Sequence, residues 1–170
     1  VENKLDLRFD LAEFIVYDRV LDAEEIDSTA SYLAGKYGLK AADIEDGGEM
    51  QPEPVVWLDT ADARMVSLHK DNVMVIKDKS GNGHDFTAKT ADINPPSYIT
   101  ADGPGGQNYI SFDNENNEAL ANKTYHPSGT KTVFVVLRVP HSEINTANNI
   151  IGRGEVHHNF VPFRDDNPAR

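Results

Sequence analysis

The sequence lacks cysteine and has no run of lysine or arginine, and each shortage excludes a class of protein. Without cysteine there is no disulfide scaffold, no thiolate zinc site and no cysteine nucleophile. The 16 lysine and arginine residues face 28 acidic residues, which leaves a formal net charge of −12. Because phosphate recognition needs clustered cations, no nucleic-acid partner is expected. No apolar run approaches the ~20 residues that cross a bilayer, so no membrane insertion is expected.

The 170 residues, 39% of them hydrophobic, are enough for a packed core, and one stretch divides them. Leu39–Pro54 reads LKAADIEDGGEMQPEP, with paired glycines and two prolines among many acidic residues. This composition is typical of a solvated linker.

Two strands are predicted at the start of the chain. Leu5, Leu7 and Phe9 alternate with polar residues, which indicates a half-buried strand. Phe14–Tyr17 is apolar on both faces, which indicates a central strand.

A single surface helix is predicted near Ala23–Tyr37. Asp22 is suited to cap its start, and Glu25 stands where a capping box needs a glutamate. Gly38 is suited to end it. Two further features support the helix, namely the hydrophobic pair Leu21 and Ile26 around the cap and the apolar stripe Ile26, Ala30, Leu33 and Tyr37.

After the linker, short apolar runs alternate with turns rich in glycine, asparagine and proline. The runs are Val55–Leu58, Val73–Ile76, Tyr98–Ile99, Tyr109–Phe112, Thr132–Val139, Asn149–Ile151 and Phe160–Phe163. The pattern predicts an all-β fold, an antiparallel jelly-roll sandwich. Thr132–Val139 is apolar on both faces and is expected at the centre of a two-sheet core.

No residues have the spacing of an active site, so no enzyme is expected. Glu25 and Asp27 match two acids of the E-x-D-x-E strand of β-glucanases, but position 29 is threonine. A helix also directs those two carboxylates apart, whereas retaining glycosidases hold theirs about 5–5.5 Å apart. His157 and His158 are adjacent, so on a strand they point to opposite faces and do not share a metal.

The segment DKSGNGHD supports two interpretations. Asp78, Asn82 and Asp85 could form a calcium turn, although Lys89 stands where an EF-hand needs its bidentate acid. The favoured interpretation is a glycine-rich turn after a strand. No cofactor is expected, and calcium is retained as a side hypothesis.

Few aromatic residues are candidates for sugar contact. Trp57, the only tryptophan, lies in an apolar run and is predicted to serve the core rather than stack on a sugar. Tyr109, Tyr125 and His126 lie in or near loops and are the candidates for an outward contact with carbohydrate.

Two stretches carry a resemblance to a known family. Phe9–Asp22 and Tyr32–Leu39 read FDLAEFIVYDRVLD and YLAGKYGL. They are similar to the end of domains of the laminin-G-like / concanavalin-A-like lectin-glucanase superfamily, where a last strand and a short helix close a sandwich. The beginning of such domains is similar to Trp57–Asp59, Ile76–Gly83, Ile110–Asp113 and Thr132–Val139. The variants most resembled occur in phage structural proteins and bacterial surface proteins.

The order of the two pieces is the reverse of the family's order. This favours a tandem array of modules as the simplest account, with a circularly permuted module as the alternative. In the first, 1–39 ends one lectin-like module, 40–53 is an acidic linker and 54–170 begins a second module of a larger protein. In the second, the chain is one circularly permuted module. Direct pairing of Phe14–Tyr17 with a strand beyond Pro54 distinguishes the second arrangement from the first.

The resemblance implies a function without catalysis. The first expectation is a structural or assembly module of a large extracellular or virion protein, such as a phage tail, fibre or capsid-surface component. Its partners would be other structural proteins or copies of itself, at a virion surface, outside the cell or on the cell surface. The alternative is an adhesion module that binds surface glycans.

Overall fold

A computed structural model describes residues 8–40, 50, 53–88, 94–113, 116, 118–122, 124–125, 128–139, 151–153 and 160–163. These residues form one α-helix, α1 (Ala23–Tyr37), and eleven strands. The strands are β1 (Arg8–Tyr17), β2 (Val56–Asp59), β3 (Val66–His69), β4 (Asn72–Ile76), β5 (Phe86–Ala88), β6 (Ser97–Ile99), β7 (Tyr109–Asp113), β8 (Leu120–Asn122), β9 (Thr132–Arg138), β10 (Ile151–Arg153) and β11 (Phe160–Phe163).

The eleven strands belong to one connected sheet. Its main path runs β10-β11-β8-β5-β4-β6-β7-β1-β2, while β3 joins at β4 and β9 joins at β1. Pairing is antiparallel except that β11 lies parallel to both β8 and β10. The predicted fold class is confirmed at this level: the chain is mainly β, with an antiparallel sheet and a single α-helix in its described part.

Strand β1 pairs with three other strands. It contains Phe9 of the first strand predicted before the helix and all of Phe14–Tyr17, whereas Leu5 and Leu7 lie outside the described residues. Along one edge, Arg8–Leu11 pairs with β7 and Glu13–Val16 pairs with β2. Along the other edge it pairs with β9, with an irregularity between Leu11 and Glu13. Strands from both sides of the predicted linker therefore pair directly within the chain.

Two apolar clusters flank β1, one on each face. Phe14 and Val16 belong to the larger cluster, which is formed by the sheet. Ile15 and Tyr17 belong to a smaller one, shared with α1. Alternate strand residues point to opposite faces, so Phe14–Tyr17 is apolar on both faces because each face packs against its own cluster.

Strand β9 differs from its predicted position. Among the described strands it pairs with β1 alone rather than lying between two partners. Its apolar character on both faces has the same origin as in β1, since Val135 packs on the larger cluster and Val136 belongs to the smaller one. Near its start, Val133 is 39% exposed.

Helix α1 begins and ends as predicted. The backbone N–H of Glu25 donates to the Asp22 carboxylate, and the backbone N–H of Asp22 donates to the Glu25 carboxylate, both at 3.0 Å. Gly38 closes the helix at φ 61°, a left-handed conformation that glycine adopts without steric cost.

The buried face of α1 is rotated from the predicted stripe. It consists of Thr29, Leu33, Ala34 and Tyr37, whereas Ile26 is 40% exposed. Thr29 contributes because its hydroxyl is hydrogen-bonded to the buried Tyr17 hydroxyl, 3.2 Å away. Within the described ranges, no helix is both long and apolar enough to cross a bilayer.

Candidate functional site

Two buried carboxylates lie side by side where α1 covers the sheet. Glu13 of β1 and Asp59 of β2 are register partners in an antiparallel pair, so their side chains leave the same face of the sheet. The two residues are 0% and 2% exposed. Buried charges require compensating partners, and the neighbouring elements supply them.

Two lysines neutralise these carboxylates. Lys36 Nζ, from the last turn of α1, lies 2.8 Å from Glu13 Oε2 and 2.6 Å from Asp59 Oδ1. Lys79 Nζ, from the turn after β4, lies 2.6 Å from Asp59 Oδ2. We call Glu13, Lys36, Asp59 and Lys79 the ionic cluster. It joins α1, β1, β2 and a loop through charge-assisted hydrogen bonds.

Three aromatic side chains complete the surroundings of Glu13. The Tyr37 hydroxyl donates to Oε2 over 2.7 Å, and Trp57 Nε1 donates to Oε1 over 2.6 Å. The Tyr32 hydroxyl donates to Oε1 over 3.3 Å. Lys36 Nζ lies 5.4 Å from the centre of the Tyr32 ring and 5.2 Å from the centre of the Tyr37 ring, so both rings flank the ammonium group.

The pKa shifts follow from this packing. Burial alone would raise the pKa of Asp59, but attraction to and hydrogen bonds from Lys36 and Lys79 outweigh it and lower the pKa below its usual value. Burial, reinforced by the charge on Glu13, raises the pKa of Tyr37 and Tyr32 well above the usual tyrosine value. Asp59 therefore remains charged, and both phenols remain protonated hydrogen-bond donors, at neutral pH.

The ionic cluster holds separate elements of the fold together. Both oxygens of Glu13 and both oxygens of Asp59 accept hydrogen bonds from within the chain. Because the donors come from α1, from β2 and from the turn after β4, the cluster fixes α1 on the sheet.

A cleft of about 470 Å³ opens beside the ionic cluster. It is lined by Tyr32, Met50, Glu53, Pro54, Trp57, Lys79 and Ser80. Tyr32 and Trp57 meet edge to face with ring centres 6.0 Å apart. Lys79 Nζ lies 4.3 Å from the centre of the Trp57 ring, which is cation–π distance. Apolar rings, a cation and a carboxylate thus converge on one space.

The residues predicted as calcium ligands lie together in one turn, where Asp78 accepts four hydrogen bonds. Three come from the backbone N–H groups of Trp57, Ser80 and His84, and one from the Ser80 hydroxyl.

The other two predicted ligands also form hydrogen bonds, one within the turn and one to the residue before β2. Asp85 accepts from the Asp78 N–H, and the Asn82 amide donates to the Val55 carbonyl. The turn thereby fastens the loop to the start of β2. Calcium ligation by Asp78, Asn82 and Asp85 stays a prediction.

Of the three residues predicted for sugar contact, the two that the structure describes are buried. Tyr109 lies in β7 and is 5% exposed, with the Arg138 guanidinium 4.9 Å from its ring centre. Tyr125 is 7% exposed and packs beside His84. His126 lies outside the described residues. Two of the three rings are therefore buried, and sugar contact by these residues stays a prediction.

The ionic cluster was not among the sites predicted from the sequence, although it left a signal there. Glu13 is a single charge inside the apolar run LAEFIVY, and Asp59 ends the apolar run VVWL. A charge inside a buried strand requires a partner. The sequence alone does not show that the partner is Lys36, because the pairing depends on where α1 docks.

In the described part of the chain, no group of three or more histidine or acidic residues could hold a metal ion. Comparison of the chain with protein-family models, with curated proteins and with solved structures gives no match.

Proposed function

We propose that this chain is a non-catalytic structural module of a large extracellular or virion assembly, with a jelly-roll-type sandwich as its fold. The observation that carries the proposal is the ionic cluster. Its carboxylates are the most deeply buried acids described, and all four of their oxygens accept hydrogen bonds from within the chain. In such a module, the buried polar groups serve to make the fold rigid.

We further propose that the pieces on either side of the linker form one permuted unit. The support is the pairing of β1 with β2, β7 and β9. Assignment to a phage or bacterial surface assembly rests on the family resemblance alone. The net charge of −12 is compatible with it, since it keeps a repeated exposed module soluble.

Carbohydrate binding is the second candidate, and the cleft beside Trp57 favours it. Sugar rings present C–H groups to aromatic surfaces and hydroxyls to polar groups at the rim. Trp57 and Tyr32 supply the aromatic surfaces, and Glu53 and Ser80 supply polar groups.

The two candidates are separated by one pair of measurements on the purified full chain. A glycan array is probed with the wild type, with Glu53→Ala at the cleft rim and with Glu24→Ala, an exposed control that does not line the cleft. In parallel, light scattering and native mass spectrometry follow self-association over a range of concentrations.

The structural proposal expects an empty array and concentration-dependent self-association. Specific glycan binding by a monomer, lost in Glu53→Ala and retained in Glu24→Ala, would overturn it and establish the carbohydrate candidate.

A further inference from the structure

We propose that the segment β1–α1 is exchanged between copies of this chain, so that one copy completes the sheet of another. We call β2, β7 and β9 the acceptor strands. The inference rests on the proposed assembly function and adds to it the surface through which copies join. On each copy, this surface is occupied by the segment 8–39 of a second copy.

The first argument is the position of β1 in the sheet. It separates β2 and β7 on one side from β9 on the other, and among the described strands these two sides pair only through β1. Without β1 the acceptor strands border an open groove with unpaired backbone on both sides. Such edges recruit another strand readily.

The second argument is the chemical specificity of the groove. On one face it offers the larger apolar cluster, where Phe14 and Val16 insert. On the other it offers Asp59 Oδ1, which accepts a hydrogen bond from Lys36 Nζ, and Trp57 Nε1, which donates to Glu13 Oε1. Because Lys36 and Glu13 are themselves an ion pair, strand and helix of 8–39 bind as one piece, and a different amphipathic strand would leave both groups of the groove without these partners.

The third argument is the connection between the two parts. Leu39–Pro54 spans at most about 50 Å when extended, and it is rich in acidic residues, glycine and proline. The contacts made by β1–α1 are identical whether its acceptor strands belong to its own chain or to another. Exchange of identical elements therefore costs little free energy. The ratio of exchanged to self-contained copies is set by the effective concentration at which the linker holds 8–39 near its own acceptor strands, on the order of millimolar.

The absence of cysteine makes a direct test available. Asp10 of β1 and Arg138 of β9 are register partners, so Asp10→Cys with Arg138→Cys places two thiols at cross-strand distance. Ser97→Cys with Ser111→Cys is the matched control, because both of its positions lie in the β6–β7 pair outside the exchanged segment. Each variant is unfolded, refolded at about 10 µM to 1 mM, oxidised and run on a non-reducing gel.

Exchange predicts interchain disulfides in the Asp10/Arg138 variant. The covalent dimer rises with refolding concentration and reaches about half of the protein near 1 mM. The Ser97/Ser111 control forms its disulfide within one chain at every concentration.

Intrachain disulfides alone in the Asp10/Arg138 variant, up to 1 mM, would overturn exchange. If light scattering then still shows self-association, the assembly function survives and only the mode of joining is wrong. Arg8→Cys with Asp113→Cys, a register pair between β1 and β7, repeats the test at the other edge should the first variant fail to refold.

Discussion

The ionic cluster and the turn at Asp78 both bury acidic groups, but they surround them with different donors. Glu13 and Asp59 are held by two lysines and three aromatic donors drawn from distant parts of the chain. Asp78 is held by neutral donors, three of them from residues 80–84. The cluster therefore joins a helix to a sheet, whereas the turn mainly shapes one loop.

This difference has an energetic consequence. Removing one member of a buried ion pair leaves an uncompensated charge, at a cost of about 3–5 kcal/mol. Removing an acceptor of neutral N–H groups leaves dipoles without a partner, at a cost of about 1–3 kcal/mol. Substitutions in the ionic cluster should therefore lower the free energy of unfolding more than substitutions in the turn.

The largest effect is expected for Glu13→Ala. The substitution removes the carboxylate that accepts from the indole Nε1–H of Trp57 and from the Tyr37 hydroxyl. It also deprives Lys36 of one of its two counter-charges. The free energy of unfolding should fall by about 3–5 kcal/mol in urea denaturation. The exposed Glu53→Ala is the control and should change it by less than about 0.5 kcal/mol. Equal stabilities of Glu13→Ala and wild type would refute the account of the cluster.

The next effect is expected for Asp78→Ala, at about 2 kcal/mol, because four donors lose their acceptor at a partly solvated loop. This corresponds to a fall in Tm of roughly 4–8 °C for a chain of this size. The fall should be the same in calcium and in chelator, since the carboxylate serves the turn. A larger fall in calcium than in chelator would instead establish a calcium site.

A smaller effect is expected for Tyr37→Phe, which removes a hydroxyl that donates to Glu13 over 2.7 Å. The loss should be about 1.5 kcal/mol, the lower end of the range for a hydrogen bond to a charged group. Tyr32→Phe is its matched control, because its hydroxyl lies 3.3 Å from the same carboxylate and should cost less. The reverse ranking in thermal unfolding would show that Tyr32 is the stronger partner.

The smallest effect is the pH dependence of stability contributed by Asp59. Burial raises the pKa of this carboxyl and so offsets part of the lowering caused by the two lysines. Its pKa is lower in the folded chain than the unfolded value of about 3.9. Its contribution to stability is thus present above pH 4 and is lost as the pH falls through the folded pKa.

This acid dependence can be measured against the variant that lacks the titrating group. Urea midpoints between pH 2 and 7 should converge for wild type and Asp59→Asn at the acidic end. A gap that widens toward low pH would contradict the assignment.

Local features of this fold were predictable from the sequence, and features set by docking were not. Asp22, Glu25 and Gly38 define α1 because capping depends on neighbours within one turn. The segment from Val66 to His69 alternates apolar and polar residues, but it is only four residues long, and β3 was missed together with the short β5 and β8.

The exposure of Ile26 and the pairing of Glu13 with Lys36 depend on how α1 lies on the sheet. The orientation of α1 on the sheet is not encoded in any pattern of neighbouring residues. A single charge inside an apolar strand was the available signal, and it indicates that a partner exists without naming it.

The central claim is that the segment 8–39 and the strands beyond the linker form one cooperative unit. Hydrogen exchange of backbone amides in the full chain tests it most directly. The account predicts that amides of Phe14–Val16 in β1 and Phe134–Val136 in β9 open with the same free energy, and that Glu13→Ala lowers both equally. Rapid exchange throughout β1 and α1, with β4 to β7 still protected, would contradict it.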